Sequence, residues 1–499
     1  MLPSLAALAA LALLLAPPGP QHSADRFTRY ELLDPGSSAF RITYQVSATS
    51  PGARYYFNSI RRGSDCSDES ARDRATGERL AVEVVEAEEA RASGHATARE
   101  GSRYLRIELR SPVPAGGRVR LEIQKTYRDP ESYFTDGCEL VFSRSLSIPR
   151  NQVVLPRGFE LVGCDVPSQV RTEPDGRLAI SFLNAGPAAV PLTLRARPLP
   201  RGEQSVLGWG SGPAPEEGQV GEAPELSAPR PPPPDYDFPE RALQSREIVY
   251  FLQPPETHSF RLYHDFTETR PGRDHYLNVV RSGSTVTDPS AVDLDSGEAL
   301  PVETLRGEEI SAAGIDVGRA VEPDTEVVVV RYEPVPSGGS RRLRIEETYT
   351  DPSRYGLLGD QLVWNRRFGR THNALVLPAG WHLTDCSIPA SITETGDGRI
   401  RLDLLNARPD RIVVIVKSRR RALPLPATDG GIKEKLPAPL EVRDLGLDRD
   451  GSLWVLGDAG LHVWHEHGFC PAEGIPTIGL DEDTALHGSG GGLWWALRH

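Results

Sequence analysis

FRITYQV at residues 40–46 is answered by FRLYHDF at residues 260–266, and PGARYYFNSIRRGS at 51–64 by PGRDHYLNVVRSGS at 271–284. Working outward, the correspondence begins at Arg26/Arg246, Tyr30/Tyr250 and Pro35/Pro255. It runs with a constant offset through Gly77/Gly297 and Glu78/Glu298. Two residues are then gained, and a second constant offset holds from Pro112/Pro334 to the DGRLAISFLNA and DGRIRLDLLNA segments at 175–185 and 397–407. A match this long and collinear marks a duplicated module, with copies over residues 25–198 and 246–420.

Within each copy the apolar residues recur every second position, as in Leu121-Glu-Ile-Gln-Lys-Thr-Tyr127 and Leu178-Ala-Ile-Ser-Phe182, which is the pattern of half-buried strands. DRATGE at Asp73 and DLDSGE at Asp293 place a Gly after small polar residues between strand-like runs, predicting a hairpin with a left-handed Gly. Asp129-Pro130 and Asp351-Pro352 end strands, because Pro has no N–H for the ladder. The expectation is an all-β chain of two tandem β-sandwich, Ig-like modules. Each has roughly ten strands, arranged as two packed antiparallel sheets or as two subdomains dividing near residues 112 and 334.

Composition bounds the rest. The 499 residues exceed one hydrophobic core, and 44 Pro with 47 Gly suit many short strands and turns. The net charge of -13 repels a phosphate backbone, so nucleic acid is excluded as a partner. Leu5 to Ala16 is an apolar run too short to span a bilayer and reads as the core of a signal peptide over residues 1–24. The expected locale is secreted or periplasmic, with no membrane span in the mature chain. Export permits disulfides, and the odd count of Cys66, Cys138, Cys164, Cys386 and Cys470 leaves at least one unpaired within the chain. Because Asp360 stands where the second copy would carry a counterpart of Cys138, the cysteines read as small buried hydrophobes. The Pro- and Gly-rich segments 199–245 and 421–439 read as linkers.

Residues 440–499 form a tail with LGLDRDGSLWVLGDAGL, a D-x-D-G turn at Asp448 to Gly451, and Trp454 and Trp494 at about one blade's spacing. It resembles the repeat of two-component-regulator β-propellers. That resemblance implies an incomplete propeller and an extracytoplasmic sensory role, and the tail reads as one and a half blades of a truncated domain. A closed propeller takes four or more.

No HExxH, G-x-S-x-G, Walker A or dinucleotide signature stands in its proper context. His462, His465, His467 and Cys470 are metal-ligand types, although His465-Glu466-His467 is not a zincin motif. No cofactor is called for. Polar residues shared by both copies include Tyr127/Tyr349, Asp129/Asp351, Asn151/Asn373 and Asn184/Asn406, which suit turn and backbone roles. Asn58, Arg61 and Ser64, repeated as Asn278, Arg281 and Ser284, are the candidate ligand face, with Arg suited to an acidic or planar ligand. The functional expectation is an exported, non-enzymatic binding or scaffolding protein for an unknown protein or small molecule. The alternatives are a truncated sensory domain and a hydrolase with an unfamiliar site.

Overall fold

The computed structural model describes residues 26–199, 246–318, 320–408 and 411–421, and the backbone of six short strands between 442 and 497. Residues 1–24, expected to form a signal segment, most of the two expected linkers, and Asp448–Gly451 and His467 lie outside the described residues. The described chain is predominantly β, with two short α-helices at Ala87–Ala92 and Glu308–Ala312. Two compact units share it: one holds residues 26–157 and 177–195, the other residues 158–176 and those from 196 onward.

In the first unit, strand Phe27–Leu32 lies between two neighbours. It pairs antiparallel with Ala39–Ala48 on one side and parallel with Arg150–Val154 on the other. Ala39–Ala48 continues to Val119–Arg128 and then Asp65–Asp73, while Arg150–Val154 continues to Leu178–Leu183. The sheet is therefore mixed, a departure from the antiparallel expectation. Parallel pairing joins segments more than a hundred residues apart, which local periodicity does not encode. Tyr30 and Phe40 point inward from this sheet and meet Phe142 of the hairpin Tyr133–Asp136/Glu139–Leu146, while Tyr127 packs against Phe40. Phe40 and Phe142 cross edge to face at 5.4 Å. Burying each such ring contributes roughly 1.5–3 kcal/mol.

The DRATGE hairpin forms as expected: Asp73 N–H donates to Glu78 O at 2.9 Å, and Gly77 sits at φ 77°. Its counterpart repeats this with Asp293, Glu298 and Gly297, also at φ 77°. The division near residue 112 does not hold. Instead a small sheet, Tyr55–Ser59, Arg103–Glu108 and Val82–Glu86, is inserted between strands of the large one and packs its own core of Val85, Ala87, Ala90 and Tyr104.

The second unit repeats this order with Arg246–Leu252 between Ser259–Glu268 and the parallel strand His372–Val376, and with Arg341–Thr350 and Thr285–Asp293 beyond. The small sheet recurs as His275–Val279, Glu326–Arg331 and Val302–Arg306, over a core of Ile310, Val327 and Val329. Strand Trp381–Glu394 is shared between two layers. Its second half pairs with Ile400–Leu405, its first half with Ile412–Arg420, which in turn pairs with Gln361–Phe368. The long strand thus gives one half to each neighbour. The layers meet through Tyr250, Phe260, Trp364 and Phe368, with Trp364 0% exposed.

Strand Phe159–Thr172 belongs to the second unit, pairing antiparallel with Trp381–Glu394 through Cys164↔Ile392 and Val170↔Cys386. Close by, Glu160 accepts from Arg197 at 2.6 Å and from Arg421 at 3.0 Å, and Arg197 also pairs with Glu394 at 2.7 Å. Burial alone would raise this carboxyl, but Arg197, Arg421 and His382 outweigh it and bring Glu160 down to about 2. Over the repeat spans the described residues hold fourteen strands between 27 and 198 and thirteen between 246 and 420, more than the ten expected, because several are short hairpin arms.

Candidate functional site

Asn58 is the fourth residue of Tyr55–Ser59, and the chain turns tightly just after it. Ser64 N–H donates to Arg61 O at 3.3 Å, with Gly63 at φ 84° supplying the left-handed step. The second repeat matches: Ser284 N–H donates to Arg281 O at 3.0 Å, with Gly283 at φ 82°. Each turn thus gathers Asn, Arg and Ser beside the inward-facing end of the strand that carries Tyr127 or Tyr349.

In the first repeat these groups close on one another. Lys125, buried at 5% exposure, donates to Asn58 Oδ1 at 2.6 Å, Tyr127 Oη at 2.9 Å and Ser59 O at 3.3 Å. Tyr127 Oη also accepts from Arg61 N–H at 3.1 Å. Ser64 and Ser132 hydroxyls donate to Asp129 Oδ2 at 3.1 and 2.8 Å, and Arg144 adds a 2.9 Å contact while its guanidinium lies over the rings of Phe40 and Tyr127. Arg61 approaches Asp129 at 3.9 Å. Burial raises Asp129, but the two serines and Arg144 outweigh it and hold its carboxyl below the usual range. Burial pushes Lys125 down to about 8; Cys66 opposes that and Arg144 adds to it. Cys66 itself is pushed up to about 12 by burial and a hydrogen bond to Glu69, so at neutral pH it is a thiol and a poor nucleophile.

The second repeat keeps the framework and inverts the charge at its centre. Glu347 stands where Lys125 stands, 2% exposed, and Asn278 turns its amide nitrogen toward it, donating at 2.9 and 2.6 Å to the two oxygens and at 2.9 Å to Tyr349 Oη. Burial raises Glu347 to about 7, offset in part by Asn278 and Arg370. Asp351 is again 1% exposed, accepting from Ser353 at 2.7 Å and Arg366 at 3.3 Å.

Arg281 has no counterpart to the Arg61–Asp129 approach. Burial and the guanidiniums of Arg354 and Arg366 push it below the usual arginine range, with Arg367 adding to this and Asp351 opposing it. Among the described residues Arg281, Arg354 and Arg367 form no ion pair, and the Ser284 hydroxyl is buried without a hydrogen-bond partner. Where the second repeat has Arg354 and Arg367, the first has Ser132 and Ser145.

The structure thus brings Asn58, Arg61 and Ser64 together with Lys125 and Asp129, and Asn278, Arg281 and Ser284 with Glu347 and Asp351. Sequence reading missed Lys125, Glu347, Arg354 and Arg367 because it weighed only polar residues identical in both copies. Alternation held the signal, since Leu121, Ile123, Lys125 and Tyr127 share one face and the inward one is apolar. Asn151 and Asn184 satisfy backbone carbonyls, donating to Ile148 O at 2.6 Å and Ala188 O at 2.8 Å. Their counterparts Asn373 and Asn406 donate to Arg370 O and Phe368 O.

Cys164 and Cys386 are free buried thiols, as the reading of small buried hydrophobes expects, but Cys138 is disulfide-bonded, with a partner other than Cys164, so that reading fails for Cys138. In the tail, four strands from Val442 to Pro471 form an antiparallel meander, and Thr484–Ser489 pairs with Gly492–Leu497. His462 stands opposite Pro471 and Cys470 opposite Val463, so these two candidate ligands are not register partners. Among the described residues no helix is long and apolar enough to cross a membrane.

No family model and no curated protein matches the chain. Among solved structures it is similar to a mutant of the M1 zinc metallopeptidase from Deinococcus radiodurans, at 14% identity over 35% of this chain and 41% of that one, with a TM-score of 0.24. It is also similar to an aminopeptidase N family protein from Idiomarina loihiensis, at 9% identity over 34% and 29% of the two chains, with a TM-score of 0.22. The chain spans less than half the length of these proteins, and likeness at this level carries no statement about activity.

Proposed function

We propose that the chain is an exported, non-enzymatic binding protein built from two duplicated, Ig-like sandwich modules. In this reading the first module serves as scaffold and the second holds the ligand. One observation carries it: the same polar framework is closed on its own partners around Arg61, whereas around Arg281 three guanidiniums and a buried hydroxyl are left without them. Arg281 and Arg354 are half-buried and Arg367 is exposed, so the buried cost falls on the Ser284 hydroxyl, whose unmet hydrogen bond a ligand would supply.

The test is a thermal-shift survey of the full-length protein with neutral sugars, amino acids, polycarboxylates and inorganic anions, run in parallel on Arg61→Ala and Arg281→Ala. At least one compound class should raise the melting temperature of the parent and of Arg61→Ala, and lose its effect in Arg281→Ala. That variant should melt, without ligand, within about 2 °C of the parent, as expected when little stability is lost. Ligand stabilisation that survives in Arg281→Ala, or a large intrinsic fall in its melting temperature, assigns Arg281 to the scaffold instead.

A sensory role is the second reading. It is favoured by the four-stranded meander between Val442 and Pro471, the number of strands in one propeller blade, under the D-x-D-G-x-L-W-V resemblance of the tail.

A further inference from the structure

We propose that the Arg281 turn of the second repeat binds a multiply charged oxyanion, the group carried by a polycarboxylate or a phosphate; this rests on the binding role proposed above. The charge count is the first ground. Arg366 is paired with Asp351 at 3.3 Å, the Arg354 main chain donates to Asp351 O at 3.1 Å, and Arg281 feels Arg354, Arg366 and Arg367 with Asp351 as the one opposing carboxylate. One carboxylate leaves more than one positive charge unmatched, which favours a ligand with at least two negative charges over a monoanion. Such a cluster is not a general property of this chain, whose net charge is -13.

The second ground is independent of charge. The Ser284 hydroxyl is 9% exposed by residue and makes no hydrogen bond, while its counterpart Ser64 donates to Asp129 at 3.1 Å. A buried hydroxyl in the same turn as an unpaired Arg offers an oxyanion a donor besides the guanidiniums. Charge-assisted donors of this kind are the strong ones, and guanidinium forks suit both carboxylate and phosphate oxygens.

The third ground is the comparison inside the chain. The first repeat has serines at the positions of Arg354 and Arg367; Ser132 spends its hydroxyl on Asp129, and Arg61 lies 3.9 Å from that carboxylate. Asp129 thus engages both Ser64 and Arg61 in the first repeat, whereas Asp351 pairs with Arg366 and Ser353 and leaves the Ser284 hydroxyl and Arg281 to an external anion.

Titration calorimetry of the full-length protein at neutral pH and low ionic strength tests this with citrate, inorganic phosphate and acetate. Citrate or phosphate should bind at one site per chain, and acetate roughly tenfold more weakly or not at all. Arg281→Ala and, separately, Arg354→Ala should each weaken binding by roughly tenfold or more, while Arg61→Ala stays within about twofold. Arg354→Ser, which copies the first repeat, should act like Arg354→Ala and guards against a folding defect in one variant. Citrate without phosphate identifies a polycarboxylate source, and the reverse a phosphate source. Absence of heat with both anions, or equal loss in Arg61→Ala, overturns the proposal. If both anions fail while a neutral compound still requires Arg281, the anion assignment falls and the binding role stands; if nothing requires Arg281, both fall.

Discussion

Replacing Glu347 with Gln should abolish the pH response that this carboxyl gives the second repeat. Burial raises this carboxyl from 4.5 to about 7 in the folded chain. Between those values the folded protein holds a proton that the unfolded chain has released, so stability falls as pH rises from about 4.5 through about 7 and stays reduced above. At 1.36 kcal/mol for each pH unit, the loss is on the order of 3 kcal/mol. Gln keeps one oxygen to accept from Asn278 and carries no charge. Urea unfolding followed by tryptophan fluorescence at a series of pH values measures the difference between variant and parent. The two should lie within about 1 kcal/mol at pH 4.5, with Gln more stable by up to about 3 kcal/mol at pH 8. A difference that does not grow with pH, or a variant destabilised equally at both ends, would refute the argument that a buried carboxylate resists ionisation here.

In the first repeat the sign is opposite. Lys125 is depressed to about 8 from 10.5, so stability should rise by roughly 3 kcal/mol as pH climbs between those values, and Lys125→Met should lack the rise when unfolding is followed by circular dichroism. Glu160, lowered to about 2, contributes stability that is present above 4.5 and lost as pH falls toward 2; Glu160→Gln should cost about 3–5 kcal/mol at neutral pH by stranding Arg421, and an acid titration should show a flatter slope. Gly77→Ala and Gly297→Ala force a side chain into φ 77° with open space around it, so calorimetry should show a loss of about 1 kcal/mol for each, additive in the double variant.

Much of this architecture is legible in the residues because period-two alternation and turn chemistry are local. Gly77 and Gly297 occupy the left-handed corners their neighbours demand, and Asp129-Pro130 stops a strand at Arg128. What escapes is non-local. Nothing near Phe27–Leu32 announces a parallel partner at Arg150–Val154, and nothing in Trp381–Glu394 says that one half serves each of two layers. The candidate site was half legible for a related reason. Asn58, Arg61 and Ser64 and their counterparts stand out as identities, yet the residues that set the two sites apart, Lys125 against Glu347 and Ser132 against Arg354, are differences between the copies. A search for sameness passes over them.

Asn58 and Asn278 together show how a duplicated interior tolerates inversion of polarity. A carboxamide has an acceptor at one end and a donor at the other, so half a turn about its last bond greets an ammonium in one copy and a carboxyl in the other without moving the main chain. A neutral pivot thus sits beside a buried charge in each repeat, and the two can carry contrary acid–base temperaments while their strands stay in step.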